Sequence, residues 1–293
     1  MNISILLPYK ENFSPDYPGA VSLFVYETSR ISKYKKNITV FGNTNFTNTF
    51  NLKYVNINLK KDVFTSQTKL YVNKFINLER KYKSSIIEIH NRPSYIHILN
   101  SNLKNRVLTL YFHNDPLSMD GSKSVEQRKK LLKCCYKIIF NSAWSKKRFL
   151  EGLENKFVNS NKLLIIYQSA KKNNLSIIKH KKKWITFVGK LNKAKGYDIF
   201  AKSIVKVLDK YPDWKAMIIG DEKREKIILN HKNASILGFK QHNEVLKIFK
   251  KTSITVACSR WEEPFGRTSL EASANGCAVI ITNKGGLPET VTD

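Results

Sequence analysis

The sequence of 293 residues lacks long hydrophobic runs and the features of an export signal. No stretch approaches the roughly 18 consecutive apolar residues that a membrane-spanning helix needs, which excludes a membrane-spanning protein. Residues 1–8 carry no basic segment, and their apolar run is too short for a signal peptide. We therefore expect a cytoplasmic protein whose first residues form a buried strand.

Cysteine is scarce, and the four that occur follow no metal-binding or disulfide pattern. Cys134 and Cys135 are adjacent, which makes a poor disulfide framework, and with Cys258 and Cys277 they show no zinc-binding spacing. We interpret all four as reduced thiols in the core of a cytoplasmic protein.

Acidic residues are few, because 23 Asp and Glu stand against 51 Lys and Arg, a formal net charge of +28. This balance excludes an acidic disordered protein or an acidic tail. It indicates an anionic partner: nucleic acid, a phosphate-bearing substrate or the anionic leaflet of a membrane. The 42% of hydrophobic residues are enough for two cores, and the length predicts about two domains.

Short apolar runs alternate with helix-length stretches, which is typical of parallel sheets with crossover helices and predicts the α/β class. A polar, basic segment at residues 171–183 separates two such series and is the predicted linker between domains at residues 1–170 and 184–293. The predicted strands lie at residues 3–7, 38–41, 54–57, 86–89, 107–112, 137–140, 163–167, 184–188, 215–219, 234–237, 254–258 and 278–281.

The first motif that carries chemistry follows the strand that ends near Cys258. A loop holds Glu263, and Gly266 then opens a helix that carries Glu271. The free N–H groups at a helix start bind anions, and glycine lets a ligand approach the backbone. Glu271 lies about 7 Å further along the helix, where a carboxylate can accept hydrogen bonds from sugar hydroxyls. Solvated surface charges explain the two glutamates equally well when they are taken alone.

The second motif is a strand that runs into a loop with glycines and lysines, and then into a helix. Gly189, Lys190, Lys195 and Gly196 lie in this loop. Open α/β sheets bind ligands at such strand–loop–helix positions, and the two lysines can neutralise a departing diphosphate. In a chain with 51 basic residues, each lysine is also explained as part of a general basic surface.

Together these segments resemble the retaining glycosyltransferases of the GT-B architecture, in which two Rossmann-like domains face each other across a cleft. The large family includes sucrose and glycogen synthases and bacterial cell-envelope enzymes of the lipopolysaccharide type. The resemblance rests on the two motifs above and on two further runs, at residues 272–279 and 285–289. Proteins of this family continue past the position of Asp293 with another strand and several helices. We therefore expect the C-terminal domain to be incomplete, and this chain to be a fragment of a longer enzyme.

The resemblance implies a role for each motif residue in binding a nucleotide-diphosphate sugar. Lys190 and Lys195 hold the donor diphosphate, while Phe265 and Gly266 offer backbone N–H groups to the sugar or phosphate. The family more often has arginine at the position of Lys190, and lysine keeps the charge but loses the bidentate geometry.

The resemblance also places carboxylates and a histidine around the sugar and ribose. Glu263 faces the donor sugar, and Glu271 holds the ribose of the nucleotide. In the N-terminal half, Gly19 lies in the loop that faces the donor phosphates, and His113 lies near the donor sugar. Without the resemblance, a hydrogen-bonded histidine at a strand end is an equally good interpretation of His113.

Retention of configuration without an evident enzymic nucleophile fits a front-face displacement, so Glu263, His113 and Lys195 would act by positioning and electrostatics. The sequence contains no Asp-x-Asp motif, so we expect that neither a metal nor a further cofactor is required. The expected acceptor is a cell-envelope glycan or a lipid-linked molecule. The basic stretch at residues 128–133 is expected to rest on an anionic membrane, on the cytoplasmic face of the inner membrane.

Two alternatives remain open at the level of sequence. A sugar-nucleotide epimerase of the same architecture explains the fold and the phosphate site, although it does not need the spacing of the two glutamates. A basic nucleic-acid-binding protein explains the charge, but no zinc finger, RNA-recognition motif or other basic–aromatic module is present, so we expect no nucleic-acid partner.

Overall fold

The computed structural model describes residues 1–59, 66–158, 160–170 and 181–291. The chain forms two compact units, Met1–Tyr167 and Gln168–Asp293, each built on its own parallel sheet. Within the described residues, no helix is both long and apolar enough to cross a bilayer.

The first unit has a seven-stranded sheet in the order β3-β2-β1-β4-β5-β6-β7. All neighbouring strands pair in parallel. A helix precedes β2 on one side of β1, and helices precede β4, β5, β6 and β7 on the other side. Its elements are β1 (Ile3–Leu6), α1 (Ala20–Ile31), β2 (Ile38–Gly42), β3 (Tyr54–Asn56), α2 (Gln67–Tyr82), β4 (Ile86–His90), α3 (Pro93–Asn102), β5 (Val107–Phe112), α4 (Val125–Cys134), β6 (Lys137–Phe140), α5 (Ala143–Leu150) and β7 (Leu163–Ile165).

Strands of this sheet are apolar on both faces because helices cover both faces, which is why they appear as unbroken hydrophobic runs in the sequence. Leu6 and Phe41 pack in one core cluster, whereas Ile5 and Leu7 pack in a second cluster. The sequence also predicts the start of α5. Ser142 accepts a hydrogen bond from the backbone N–H three residues later and caps α5, as its position predicts.

The second unit has a five-stranded sheet in the order β10-β9-β8-β11-β12, again entirely parallel. Its elements are β8 (Lys182–Val188), α6 (Tyr197–Lys210), β9 (Lys215–Ile219), β10 (Ala234–Ile236), α7 (His242–Lys251), β11 (Thr252–Ala257), α8 (Arg267–Ala274) and β12 (Ala278–Ile281).

The predicted α/β class is confirmed, and each predicted strand is present with ends that differ by at most two residues. The largest correction concerns the predicted linker. β8 begins at Lys182, inside it, because this residue pairs with Thr252 of β11. Residues 171–180 of the predicted linker lie outside the described residues.

The four cysteines are free thiols, as predicted. Three of them, Cys135, Cys258 and Cys277, are buried, whereas Cys134 is half-buried. Burial raises the pKa of Cys135 to about 12, so this thiol stays protonated at neutral pH.

Candidate functional site

The centre of the second sheet is a topological switch point. β8 and β11 are neighbours, but the chain continues outward from β8 to β9 and from β11 to β12 on the other side. The loops after these two central strands therefore diverge at the carboxyl edge of the sheet, where open α/β sheets bind their ligands. Both sequence motifs begin in these two loops, and the first of them continues into α8.

Lys195 and Glu263 meet across this switch point. The Lys195 ammonium lies 2.5 Å from Oε1 of Glu263, and the hydroxyl of Ser259 donates to the same oxygen at 2.8 Å. The glutamate side chain is 12% exposed, while that of the lysine is 38% exposed. The structure thus brings together two predicted site residues that are 68 positions apart, and it adds Ser259, which the sequence did not single out.

The two loops are tied together by one backbone carbonyl. The carbonyl oxygen of Ala194 accepts hydrogen bonds from the backbone N–H groups of Arg260 and Trp261 and from the Ser259 hydroxyl, at 3.0–3.1 Å. These three hydrogen bonds fix the position of the loop that holds Lys195 relative to the loop that holds Glu263. Backbone contacts therefore determine the geometry of the ion pair.

Gly196 makes this close approach possible. Its φ is +72°, and a Cβ at this position would lie 1.8 Å from the carbonyl oxygen of Cys258. Real side chains do not occur at that distance, so only glycine fits between the loop and the end of β11. The second glycine of the lysine loop is therefore explained by packing.

Glu271 lies on α8 and is 7% exposed. Nε2 of His242 lies 2.9 Å from its Oε1, and Nε of Arg267 donates to the same oxygen at 2.6 Å. Burial raises the pKa of Glu271, but the hydrogen bond from His242 and the positive charge of Arg267 outweigh burial and hold it below the ordinary value. The carboxylate is therefore held charged and oriented in a mostly buried position.

His242 was not among the predicted site residues. It is the first residue of α7, 29 positions before Glu271, and only the packing of α7 beside α8 brings the two side chains together. A histidine at the first position of a helix has no sequence signature of this role.

Gly266 is the capping residue directly before α8, as predicted, and Phe265 precedes it. Gly266 has a φ of +122°, and a Cβ on it would lie 2.9 Å from both a methyl carbon of Leu287 and the hydroxyl of Ser269. The Phe265 side chain is buried. Both contacts of a Cβ at Gly266 are with side chains of this chain, so packing and the positive φ explain the glycine at this helix start.

Lys190 occupies the loop without a fixed partner. It is exposed, and its ammonium forms no hydrogen bond or ion pair with residues in the described ranges. The two lysines predicted to hold the diphosphate thus differ, since Lys195 is anchored to Glu263 and Lys190 is solvated.

In the first unit, Gly19 precedes α1, but a carboxylate already lies at this helix start. Oε1 of Glu11 accepts hydrogen bonds from the backbone N–H of Ser22 at 3.0 Å and from its hydroxyl at 3.3 Å. A Cβ on Gly19 would lie 1.9 Å from the same oxygen. Negative charge at this helix start is thus supplied by the protein itself, a feature that the sequence does not predict.

His113 follows β5 at the carboxyl edge of the first sheet and is 9% exposed. Its Nε2 lies 2.8 Å from Nδ1 of His90, and Nε2 of His90 lies 2.6 Å from Oε1 of Glu88. Side chains two residues apart on a strand point to the same face, which is the signal that could have joined Glu88 and His90. His113 and Gly19 belong to the first unit, and the other predicted site residues to the second.

Solved structures show which fold this is. HepE from Anabaena, solved in complex with UDP and glucose, matches 100% of this chain and 84% of its own chain, with a TM-score of 0.73 at 17% identity. The catalytic domain of starch synthase IV from Arabidopsis thaliana matches with a TM-score of 0.73 at 11% identity, over 100% of this chain and 85% of its own. The fold is that of the GT-B glycosyltransferases.

Sequence comparisons agree with the fold. Residues 169–293 match the model of "Glycosyl transferases group 1", and the predicted resemblance to glycosyltransferases of the GT-B architecture is confirmed. Spore coat protein SA of Bacillus subtilis is 25% identical over 240 residues, which are 73% of this chain and 64% of that protein. The lipopolysaccharide core biosynthesis mannosyltransferase LpsB of Rhizobium meliloti is 31% identical over 38% of this chain and 34% of its own. The chain spans less than two thirds of the length of either relative.

Proposed function

We propose that this protein is a glycosyltransferase that moves a hexose from a nucleotide-diphosphate sugar to a cell-envelope glycan or lipid-linked acceptor, with retention of configuration. The observation that carries the proposal is the ion pair of Lys195 and Glu263 at the switch point of the second sheet, beside the start of α8. A HepE structure that contains UDP-glucose and the relation to LpsB support a nucleotide-sugar donor.

The donor nucleotide would bind along the second unit. Among the described residues, both hydrogen bonds to the Glu271 carboxylate end on Oε1, so Oε2 of this charged group is available to accept the ribose hydroxyls. The diphosphate would lie between the start of α8 and the lysine loop, where Lys195 and Lys190 supply two positive charges.

Glu263 is better suited to orienting than to attack. It is ion-paired with Lys195 and accepts from Ser259, and both interactions stabilise its negative charge. A carboxylate stabilised in this way is a weaker nucleophile. This favours a front-face displacement in which Lys195 stabilises the leaving diphosphate and Glu263 holds the lysine and the sugar in place.

The acceptor would bind to the first unit. A cavity of about 500 Å³ opens at the carboxyl edge of the first sheet, among residues that follow the ends of β1, β2 and β3. The residues that line it are Tyr9, Lys10, Asn12, Asn43, Asn45, Leu59 and Gln67. Of these, four are carboxamides and none is a carboxylate. Carboxamides both donate and accept hydrogen bonds, as sugar hydroxyls do, so this lining supports a glycan acceptor.

The proposed membrane contact needs one correction to the predicted basic stretch. Arg128 of α4 is buried, and its guanidinium donates to the backbone carbonyl of Glu151 at 2.6 Å. This side chain therefore stabilises the fold and does not face a membrane. Lys130 and Lys133 on the same helix are exposed. These two lysines are the residues of this stretch that would meet anionic headgroups on the cytoplasmic face of the inner membrane.

The proposal is tested by incubating the purified chain with a panel of nucleotide-sugars, with and without glycan and lipid-linked acceptors, and with and without a chelator. We expect nucleoside diphosphate release that rises with acceptor, a product with the anomeric configuration of the donor, and no effect of the chelator. Isomerised donor without transfer would establish the epimerase. No turnover, together with a salt-dependent mobility shift of random DNA, would establish the nucleic-acid-binding protein.

A further inference from the structure

The amino edge of the first sheet carries an open cavity that is lined by basic side chains. It lies among residues at the ends of α2 and α3 and just before β5. Its volume is about 480 Å³, which is in the range of small-molecule sites. Among the described residues, no carboxylate lines it, and its polar lining consists of Arg80, Lys83, Ser101, Asn102, Lys104 and Arg106.

Arg106 is the least exposed of the four cations in this lining. Its Nε lies 3.7 Å from Oε1 of Glu79, a carboxylate that is fully buried. That carboxylate accepts hydrogen bonds from the hydroxyl of Ser4 at 2.5 Å and from the backbone N–H of Ser84 at 2.7 Å. Glu79 therefore holds the guanidinium of Arg106 at the cavity by charge, while its own hydrogen bonds go to other groups.

The Nε–H of Arg106 is buried and forms no hydrogen bond within the described part of the chain. A buried donor without an acceptor destabilises a fold, so a guanidinium kept in this state indicates a ligand that supplies the acceptor. The N–H groups of a guanidinium form a planar fork that matches the oxygens of a phosphate group. This donor is the first sign that the cavity takes an anion.

The charge around the cavity is the second sign. The side chains of Lys83 and Lys104 are exposed and form no hydrogen bond or ion pair with the described residues, and Arg80 donates to the side-chain oxygen of Asn77 at 3.5 Å. Four positive charges against the one buried carboxylate of Glu79 leave a net charge of +3 around the cavity. Like charges repel, and an anion bound between them removes that cost.

Stabilisation of helix ends is the alternative explanation of these cations. A cation near a helix C-terminus is favourable, and this alone would explain the charge of Lys83, which ends α2. It does not explain Lys104 and Arg106, which lie beyond Leu103, the capping residue of α3. Nor does it explain a lysine at a φ of +51°, where glycine is favoured. Anion binding accounts for all three cations.

We propose that this cavity binds a phosphate group, carried either by a soluble small molecule or by a lipid head group. The guanidinium of Arg106 donates to the phosphate oxygens, and Arg80, Lys83 and Lys104 supply the surrounding positive charge. The site lies at the opposite edge of the sheet from the proposed acceptor cavity, about 17 Å away along the six residues of β5. It does not depend on the proposed function.

The site is tested on the full chain labelled with ¹⁵N, by following the Nε–H signal of Arg106 while inorganic phosphate replaces chloride at constant pH and ionic strength. The variant Arg106→Lys assigns the signal, and the readout is specific to the cavity because Arg106 lines it. We expect a shift that saturates as phosphate is added. A signal that does not move, or that moves without saturation, would overturn the proposal.

Charge variants separate a defined site from a general basic surface. Lys83→Gln/Lys104→Gln should weaken phosphate binding about tenfold, because two positive charges leave the lining. The matched control is Lys69→Gln/Lys81→Gln, which makes the same charge change at exposed lysines of α2 that do not line the cavity. We expect this control to change the affinity less than about twofold. Equal losses in the two double variants would mean that net charge alone attracts phosphate.

Vesicles distinguish the two sources of the phosphate group. The chain is mixed with vesicles of phosphatidylcholine, with or without phosphatidic acid. Binding to phosphatidic acid that is lost in Lys83→Gln/Lys104→Gln but kept in the control would identify a lipid head group. Saturable binding of inorganic phosphate, with vesicle binding equal in both double variants, would identify a soluble ligand. Both results support the site, whereas failure of both probes to depend on Lys83 and Lys104 would refute it.

The variant Lys83→Gly separates ligand binding from a structural role of this lysine. Glycine adopts the φ of +51° without steric cost, so the melting temperature should stay the same or rise, while phosphate binding weakens about threefold. A lower melting temperature with unchanged phosphate binding would assign Lys83 to the helix end and remove it from the site. None of these measurements uses a nucleotide-sugar, so failure of the proposed glycosyl transfer and failure of this site are observed separately.

Discussion

The ammonium of Lys195 lies 2.5 Å from a carboxylate oxygen of Glu263, and this contact joins the loops after the two central strands of the second sheet. The pair places a positive charge at the carboxyl edge and neutralises it in the absence of ligand. A diphosphate that binds there must share or replace this carboxylate as the partner of the lysine. The pair therefore couples the phosphate position to the position of Glu263.

Lys195→Ala and Glu271→Ala should each lower donor turnover more than tenfold. Each removes an oriented, charged hydrogen-bonding group, worth roughly 1.5–3 kcal/mol. Initial rates with a saturating acceptor provide the measurement. Lys202→Ala, at an exposed lysine on α6, makes the same change in net charge as Lys195→Ala and should retain the wild-type rate. Near-normal rates in both site variants would refute the donor-site assignment.

Gly196→Ala should destabilise the second unit by about 3 kcal/mol. The positive φ costs roughly 1–2 kcal/mol for alanine, and the new Cβ must displace the carbonyl of Cys258. Gly238→Ala is the matched control, because its φ of +67° is similar but a Cβ there meets nothing within 4 Å. Urea unfolding compares the two variants. Equal losses of stability would show that the packing against Cys258 carries no cost.

Glu271 should make the stability of the second unit depend on pH. Since its folded pKa is lowered, the charged carboxylate contributes stability above the ordinary glutamate pKa of about 4.3, and the contribution is lost as pH falls through the lower folded pKa. Urea unfolding at several pH values should therefore show a difference between wild type and Glu271→Gln that shrinks below about pH 4. A constant difference from neutral pH downward would contradict the lowered pKa.

Cys134 should react with a thiol reagent before the other three cysteines. Burial raises the pKa of Cys135, Cys258 and Cys277, so little reactive thiolate forms at neutral pH, and each is also shielded from the reagent. Mass spectrometry after brief alkylation of the native chain should show one modified residue, lost in Cys134→Ser. Rapid labelling of all four thiols would contradict the predicted burial.

Lys130 and Lys133 should govern binding to anionic lipid. Co-sedimentation with vesicles should require acidic lipid and weaken from low to physiological salt. The double variant Lys130→Glu/Lys133→Glu should bind several-fold less than Lys202→Glu/Lys206→Glu, which makes the same charge change on α6. Equal losses in both double variants would mean that only net charge matters. Equal binding to neutral vesicles would exclude the membrane contact.

The sequence by itself determined the elements of this protein and its resemblance to the GT-B glycosyltransferases. Parallel strands covered on both faces must be apolar throughout, so β5 and β9 appear with correct ends as short hydrophobic runs. The sequence also predicted Lys195, Glu263 and Glu271 as site residues, for a related reason. Each lies in a loop or helix directly after a strand, and the ends of neighbouring parallel strands meet at one edge of the sheet.

Only the tertiary structure decided which side chains touch. The contact of His242 with Glu271 depends on how α7 packs beside α8, and the carboxylate of Glu11 at the start of α1 depends on the fold of a loop. The chain from Glu88 through His90 to His113 requires β4 and β5 to be neighbours in a given register. Hydrophobic periodicity encodes which face of an element is buried, but it does not encode strand order or register, because those are set by the packing of the whole sheet.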